Sequence, residues 1–246
     1  MFQRLPIPED LHHEGVLSYG FHGISYEFIA GRLKEIAPNL AKGRVVVAHL
    51  GSGCSMCALV DSKSVEASWG FSGLDGLSMG TRPGRLDPGV ILYLLQTKGV
   101  SAQEVAHLLY HECGLKGISG LSNDVRELLG SQDPRARLAL DSLTFNCARW
   151  VAQLATVMGG IDGLVFTAGV GEHAAPVRNS ICSRLAWLGL DIDQDANVRH
   201  GPLISTATSA VTCYVVPTNE ELMIARHPLA HIRNLARSRA NSRTVQ

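Results

Sequence analysis

Apolar positions along the chain alternate between two spacings. Val45-Val46-Val47-Ala48 is an unbroken run of mostly β-branched residues that ends at His49 and predicts a buried strand over Arg44–Leu50. The pattern then alternates through Met56–Val60, turns at Asp61-Ser62-Lys63 and returns over Ser64–Ser68. That order predicts a β-meander built on the first strand. Leu164–Thr167 and Val211–Val216 read as two further short strands.

Between the strands the apolar residues recur at helical spacing. Phe28, Ile29, Leu33 and Ile36 form one apolar face, with Ser25 as the predicted N-cap and Pro38 as the stop. A second helix begins near Pro88 and stops at Gly99. A third opens with Ser101 and Glu104 at capping-box spacing and carries Val105, Leu108 and Leu109. Asp124–Leu129 predicts a short helix. A long one runs from about Pro134 to Met158, with Leu140, Leu143, Cys147, Val151 and Leu154 on one face and Gly159-Gly160 behind it. Pro176 starts another, and Pro217-Thr-Asn-Glu-Glu221 leads into the last. Met1–Gly15 reads as a polar connector, and Trp69–Gly89 and Gly117–Ser122 as glycine-rich loops. A loop as long as Trp69–Gly89 inside a compact domain is usually functional. The Arg- and Ser-rich stretch beyond about Leu235 predicts a frayed tail.

Composition narrows the classes. Of the 246 residues 46% are hydrophobic and 18% charged, which fits a packed globular chain and not a disordered one. Lysine plus arginine equals aspartate plus glutamate, 22 each, so no charge excess points to nucleic acid or a membrane surface. No apolar run approaches the ~20 residues that span a bilayer, and no secretory pattern opens the chain. The six cysteines show no paired framework. Cys54 and Cys57 are spaced C-x-x-C but fall in a strand, so they read as structural thiols of a cytoplasmic protein.

Two strands end in Gly-x-Gly turns: His49-Leu50-Gly51-Ser52-Gly53 and Gly169-Val170-Gly171-Glu172. Glycines there let backbone N–H groups approach an anion closely, phosphate above all. The same glycines also serve tight strand-to-helix turns with no ligand. A pair of such turns in one α/β chain points to a nucleotide held between them. Arg82 and Arg85 lie in the long loop, where a guanidinium can offer its planar fork to a phosphate or carboxylate or simply be solvated. His22 sits between Gly20 and Gly23, open to chemistry or to capping. Asp124 and Arg126 fit a surface ion pair. Glu220 and Glu221 suit the first turn of a helix through its dipole, or one of them holds Mg²⁺ beside a nucleotide.

Seven stretches in order carry a resemblance to a known family. They are Tyr-Gly-Phe-His-Gly (19–23), His-Leu-Gly-Ser-Gly (49–53), Met-Gly-Thr-Arg (79–82), Leu-Asp-Pro-Gly (86–89), Ser-Gly-Leu-Ser-Asn-Asp-Val-Arg (119–126), Val-Phe-Thr-Ala-Gly-Val-Gly-Glu (165–172) and Pro-Thr-Asn-Glu-Glu-Leu-Met-Ile-Ala-Arg (217–226). Together they resemble the acetate kinase family, acetate and propionate kinases of the actin-like ATPase superfamily. The resemblance implies a ribonuclease H-like α/β domain with a mixed β-sheet flanked by helices. It implies transfer of the ATP γ-phosphoryl group to a short-chain carboxylate, giving acetyl phosphate and ADP. On that footing His22 and Arg82 stabilise the transferring group, and His49, Leu50, Gly51, Ser52 and Gly53 cradle the phosphates. Asp124, Val125 and Arg126, with Gly169, Val170, Gly171, Glu172 and His173, line the adenosine side. Glu220 holds Mg²⁺, and the protein is a homodimer.

Three departures qualify this. Ser52 and His173 stand where the family usually has asparagine. The family's members also carry a domain ahead of the Tyr-Gly-Phe-His-Gly motif, with a magnesium-binding asparagine, a substrate-gripping arginine, another histidine and an aspartate base. The resulting expectation divides the chain into a connector (1–18), a C-terminal acetate-kinase-like domain (19–235) and a disordered tail (236–246). It also makes a separately encoded N-terminal domain a candidate partner. Such a chain alone binds nucleotide weakly and turns over little, because the site's groups converge from two sides. A propionate or butyrate kinase, or a non-catalytic nucleotide-binding dimerising module, is the alternative.

Overall fold

The computed structural model describes residues 3–228. The expected tail (236–246), and the end of the expected domain from 229 on, lie outside the described residues. The strands are β1 (Arg44–Leu50), β2 (Cys54–Val60), β3 (Lys63–Ala67), β4 (Gly163–Thr167) and β5 (Thr212–Val215). They form one mixed sheet in the order β3-β2-β1-β4-β5. The meander β1-β2-β3 is antiparallel, whereas β1, β4 and β5 run parallel. Val47 pairs with Cys57 on one side and Val165 on the other.

Strand alternation divides the core between two faces. Val46, Ala48, Leu50, Met56, Leu164 and Phe166 point toward the long helix Pro134–Met158. Val45, Val47, Cys57, Leu59 and Val165 point toward the helix Gly23–Ile36. Both faces being covered explains why β1 reads as a continuous apolar run and not as an alternating one. Cys54 and Cys57 consequently sit on opposite faces, both as free thiols.

The long helix begins and ends where its sequence says. The Asp133 side chain accepts from the Arg135 N–H, Pro134 fills the first turn, and Gly159 ends the helix at φ +69°. Leu143, Cys147, Val151 and Leu154 are buried on the predicted face. Ser101 and Glu104 form the predicted capping box.

Four local expectations change. Ser25 does not cap the first helix. His22 occupies the N-cap position at φ +56° without a side-chain capping bond, and the Ser25 hydroxyl instead donates to Thr218 Oγ1 at 3.0 Å. Part of Gly117–Ser122 is helical, within Gly114–Ser119, because that turn packs on the long helix and Gly120 closes it at φ +64°. The second Gly-x-Gly stretch is likewise a short helix, Ala168–His173, and not an open loop. Finally, the connector contains one helical turn, Glu9–His13, with no buried residue.

Candidate active site

β1 and β4 are parallel neighbours, so their carboxyl ends emerge side by side, with His49 in register with Thr167. The chain leaves them in opposite directions, β1 turning back into β2 and β4 entering the helix Ala168–His173. A crevice outside such a switch point is where open α/β sheets bind ligands. The two turns adjoin: a Cβ built on Gly51 would lie 3.6 Å from the Ala168 Cβ. Ala168 adopts φ +64°, rare for a residue with a side chain. The Glu172 carboxylate holds it there, accepting from the Ala168 N–H at 2.8 Å and the Thr218 N–H at 3.2 Å.

A cavity of about 680 Å³ opens from this crevice. Leu50, Gly51 and Ser52 border it from the first turn, and Gly169, Val170 and His173 from the second. Asp124, Val125 and Arg126 form another wall, with Asn123 and Leu129, and Arg82 reaches it from the long loop beside Met79 and Thr81. Asp124 caps its helix by accepting from the Arg126 N–H at 2.7 Å, and it pairs with the Arg126 guanidinium at 2.5 Å. That hydrogen-bonded pair holds its carboxyl down at about 2. Size and mixed apolar and polar lining suit a small organic ligand. A second cavity, of about 590 Å³, lies across the sheet between the helix Gly23–Ile36, the β2-β3 hairpin and residues 220–228.

Six of the predicted residues do not line the larger cavity. Gly171 packs against the strands, where a Cβ would come 3.6 Å from the Ala48 carbonyl, and Glu172 is occupied as described. His22, His49, Gly53 and Glu220 gather at the mouth instead. A Cβ built on Gly53 would lie 3.2 Å from Arg82 Nη2 and 3.3 Å from His22 Nε2. Both nitrogens therefore face one hollow that the missing side chain leaves open. Arg82 is steadied by donating from Nη1 to the Gly73 carbonyl at 3.0 Å. His22 stacks on His49 with ring centroids 4.0 Å apart at 15°. Burial, and secondarily Arg82, pushes His22 down to about 4. Burial, and secondarily His22, pushes His49 down to about 3. Both imidazoles are thus neutral near pH 7, and the arginine supplies the positive charge.

Among the described residues no three histidine, cysteine, aspartate or glutamate side chains gather to hold a metal. Glu220 brings a carboxylate to the mouth, with Oε1 3.9 Å from His49 Nδ1. One carboxylate fits Mg²⁺ that arrives on phosphates, since that ion keeps most of its ligands as water and substrate oxygens. It does not make a closed protein cage.

Several residues of the site escape a reading of the sequence. Ser55 Oγ lies 2.7 Å from His22 Nδ1 and is also hydrogen-bonded to the Tyr26 hydroxyl. A polar residue in an otherwise apolar buried strand is the signal that was there to find. Arg178 gives no such signal. It is fully buried and uses its whole guanidinium on Asn197, His200 Nδ1 and the carbonyls of Gly171 and Glu172. Among the described residues no carboxylate pairs with it. It ties the end of the second glycine turn to the helix Gln194–Val198.

Known proteins share this chain's sequence and fold. The model of the acetokinase family matches residues 3–226. An acetate kinase of Nitrobacter hamburgensis is 53% identical over 224 residues, covering 91% of this chain and 55% of that protein. One of Rhizobium meliloti is 55% identical over 226 residues, covering 92% and 57%. Among solved structures, Porphyromonas gingivalis acetate kinase superposes with a TM-score of 0.88 at 36% identity, over 93% of this chain and 59% of that one. A propionate kinase of Francisella tularensis does so with a TM-score of 0.86 at 39% identity, over 91% and 59%. The chain therefore spans between 55% and 59% of the length of these relatives. No helix among the described residues is long and apolar enough to cross a membrane.

Proposed function

The chain belongs to the acetokinase family, with its actin-like α/β fold, and from that premise we propose that it supplies the nucleotide and phosphoryl side of an acetate kinase. The reaction is transfer of the ATP γ-phosphoryl group to acetate, giving acetyl phosphate and ADP. One observation carries the reading: His22 Nε2 and Arg82 Nη2 converge on the hollow in front of Gly53, at the mouth of the cavity bordered by both glycine turns.

Phosphoryl transfer asks a protein mainly to position the reactants and to stabilise charge spread over phosphoryl oxygens. A guanidinium and a neutral imidazole facing one point do that, and Gly53 leaves the oxygens room to approach. The backbone of His49–Gly53 receives the β-phosphate side. Asp124, Val125 and Arg126 face the nucleoside together with Gly169, Val170 and His173. Glu220 would hold Mg²⁺, which would help neutralise the charge of the phosphates. Acetate is favoured over propionate as acceptor by the relatives above 50% identity, and the active form is a cytoplasmic homodimer.

The chain spans little more than half of its relatives' length, and a site of this kind draws groups from two sides. We therefore expect nucleotide binding with weak turnover from this chain alone. Calorimetric titration of Mg·ADP into the full chain, followed by an acetyl phosphate assay on the same sample, tests this. Arg82→Ala should weaken binding of the magnesium complex of a non-hydrolysable ATP analogue, whose γ-phosphoryl group reaches the hollow, by roughly tenfold or more, the worth of one charge-assisted contact. Absence of binding by the unaltered chain, or equal binding by both, overturns the assignment.

A further inference from the structure

The side chain behind His22 is a chain of two hydroxyls. Tyr26 is buried, and its phenol bonds to Ser55 Oγ. Ser55 is completely buried, and its oxygen lies 2.7 Å from His22 Nδ1. No other side chain among the described residues bonds to either hydroxyl. The direction of the hydrogens follows from acidity. A phenol, with a pKa near ~10, is far more acidic than an aliphatic hydroxyl, so Tyr26 donates and Ser55 accepts. Ser55 is then left with its own hydrogen, and the remaining neighbour is His22 Nδ1. A neutral imidazole that accepts at Nδ1 must carry its hydrogen on Nε2. Nε2 is the atom that faces the Gly53 hollow alongside Arg82.

We propose that Tyr26 and Ser55 form a hydroxyl relay that locks His22 as its Nε2–H tautomer, so that both act as positioning residues for the donor presented to the hollow. The reverse tautomer would aim a lone pair at an incoming phosphoryl oxygen and repel it. The stacked ring offers a contrast. Ser25 donates to Thr218 Oγ1 at 3.0 Å and lies 2.9 Å from His49 Nδ1, so His49 must donate from Nδ1. Two parallel imidazoles are thereby held in opposite tautomers by different partners. This inference rests on the proposed role of the hollow as a phosphoryl site, but its direct readout does not.

Long-range ¹⁵N–¹H correlation spectra of the histidine-labelled full chain near pH 7 report tautomers directly, with assignment by His22→Gln. The expected pattern for His22 is a protonated Nε2 and a bare Nδ1. Ser55→Ala should collapse it toward the mixed pattern of an unrestrained imidazole, while Ser55→Thr, which keeps the hydroxyl, should restore it. An Nδ1–H or averaged His22 in the unaltered chain overturns the relay. So does a folded Ser55→Ala with an unchanged pattern. Adding Mg·ADP with inorganic phosphate then separates the two ideas. A locked Nε2–H resonance that ignores these ligands keeps the relay and removes the phosphoryl assignment.

Discussion

His22 and His49 stack at 4.0 Å although one opens a helix and the other closes a strand, and neither ring is positioned to be charged at neutral pH. Burial sets both below the ordinary imidazole value of 6.5, at about 4 and about 3. The sign of the consequence follows. Unfolded histidines bind protons below about 6.5 and these do not, so the stability from keeping them neutral is complete above that pH. It is lost as pH falls from about 6.5 toward the folded values. Each histidine contributes a slope of up to roughly 1.4 kcal/mol per pH unit in that window. Urea unfolding at pH 7, 6, 5 and 4.5 should show the decline. His49→Gln should flatten it, and an unchanged profile in that variant would show that other groups cause it.

Glycines at the site and beneath it should behave differently. Gly53 has open neighbours, since a Cβ meets only the ends of Arg82 and His22. Gly53→Ala should therefore cost under ~1 kcal/mol of stability while weakening binding of a magnesium-bound non-hydrolysable ATP analogue, whose γ-phosphoryl group the added methyl obstructs. Gly114 lies at φ +62°, where a Cβ would land 2.1 Å from the Met79 carbonyl. Gly114→Ala should lose more than ~2 kcal/mol through steric displacement of the loop that carries Arg82. Paired melting and calorimetry on both variants check the contrast.

Arg178 is a buried cation that no carboxylate pairs with among the described residues. Its guanidinium satisfies the carbonyls of Gly171 and Glu172 together with Asn197 and His200. Arg178→Leu fills similar space but leaves those acceptors buried and unpaired, so a loss of roughly 3–5 kcal/mol is expected. Arg178→Lys recovers only part of it, because an ammonium lacks the planar fork. Denaturant midpoints of the two variants measure the difference, and a fully stable leucine variant would contradict the bracing role.

The thiols give a simple readout of packing. Cys54, Cys57, Cys147, Cys182 and Cys213 are buried, and Cys113 is partly exposed. Burial pushes the thiols of Cys54 and Cys57 up to about 11, so little thiolate forms at neutral pH. Native protein should react with a thiol reagent rapidly at Cys113 and slowly elsewhere, with all six titrating in denaturant. Fast native modification of Cys57 would mean that the face under the helix Gly23–Ile36 opens readily.

The amino-acid sequence alone determined whatever is written within a few residues. The run Val45–Ala48 specified a strand covered on both faces, Asp133-Pro134 and Gly159 bounded the long helix, and Ser101 with Glu104 capped another. The seven ordered motifs also identified the family. Tertiary structure decided the relationships that span the chain. Ser25 left its expected capping place because Thr218, far along the chain, packs close enough to take its hydrogen. Ala168–His173 became a helix because Glu172 could reach back to the Ala168 N–H once Thr218 and Arg178 braced it. The stack of His22 on His49 and the relay through Ser55 depend on a helix settling over one face of the sheet. Period and capping are local properties of the backbone, whereas partners for buried polar groups exist only after distant segments have been brought together and water removed.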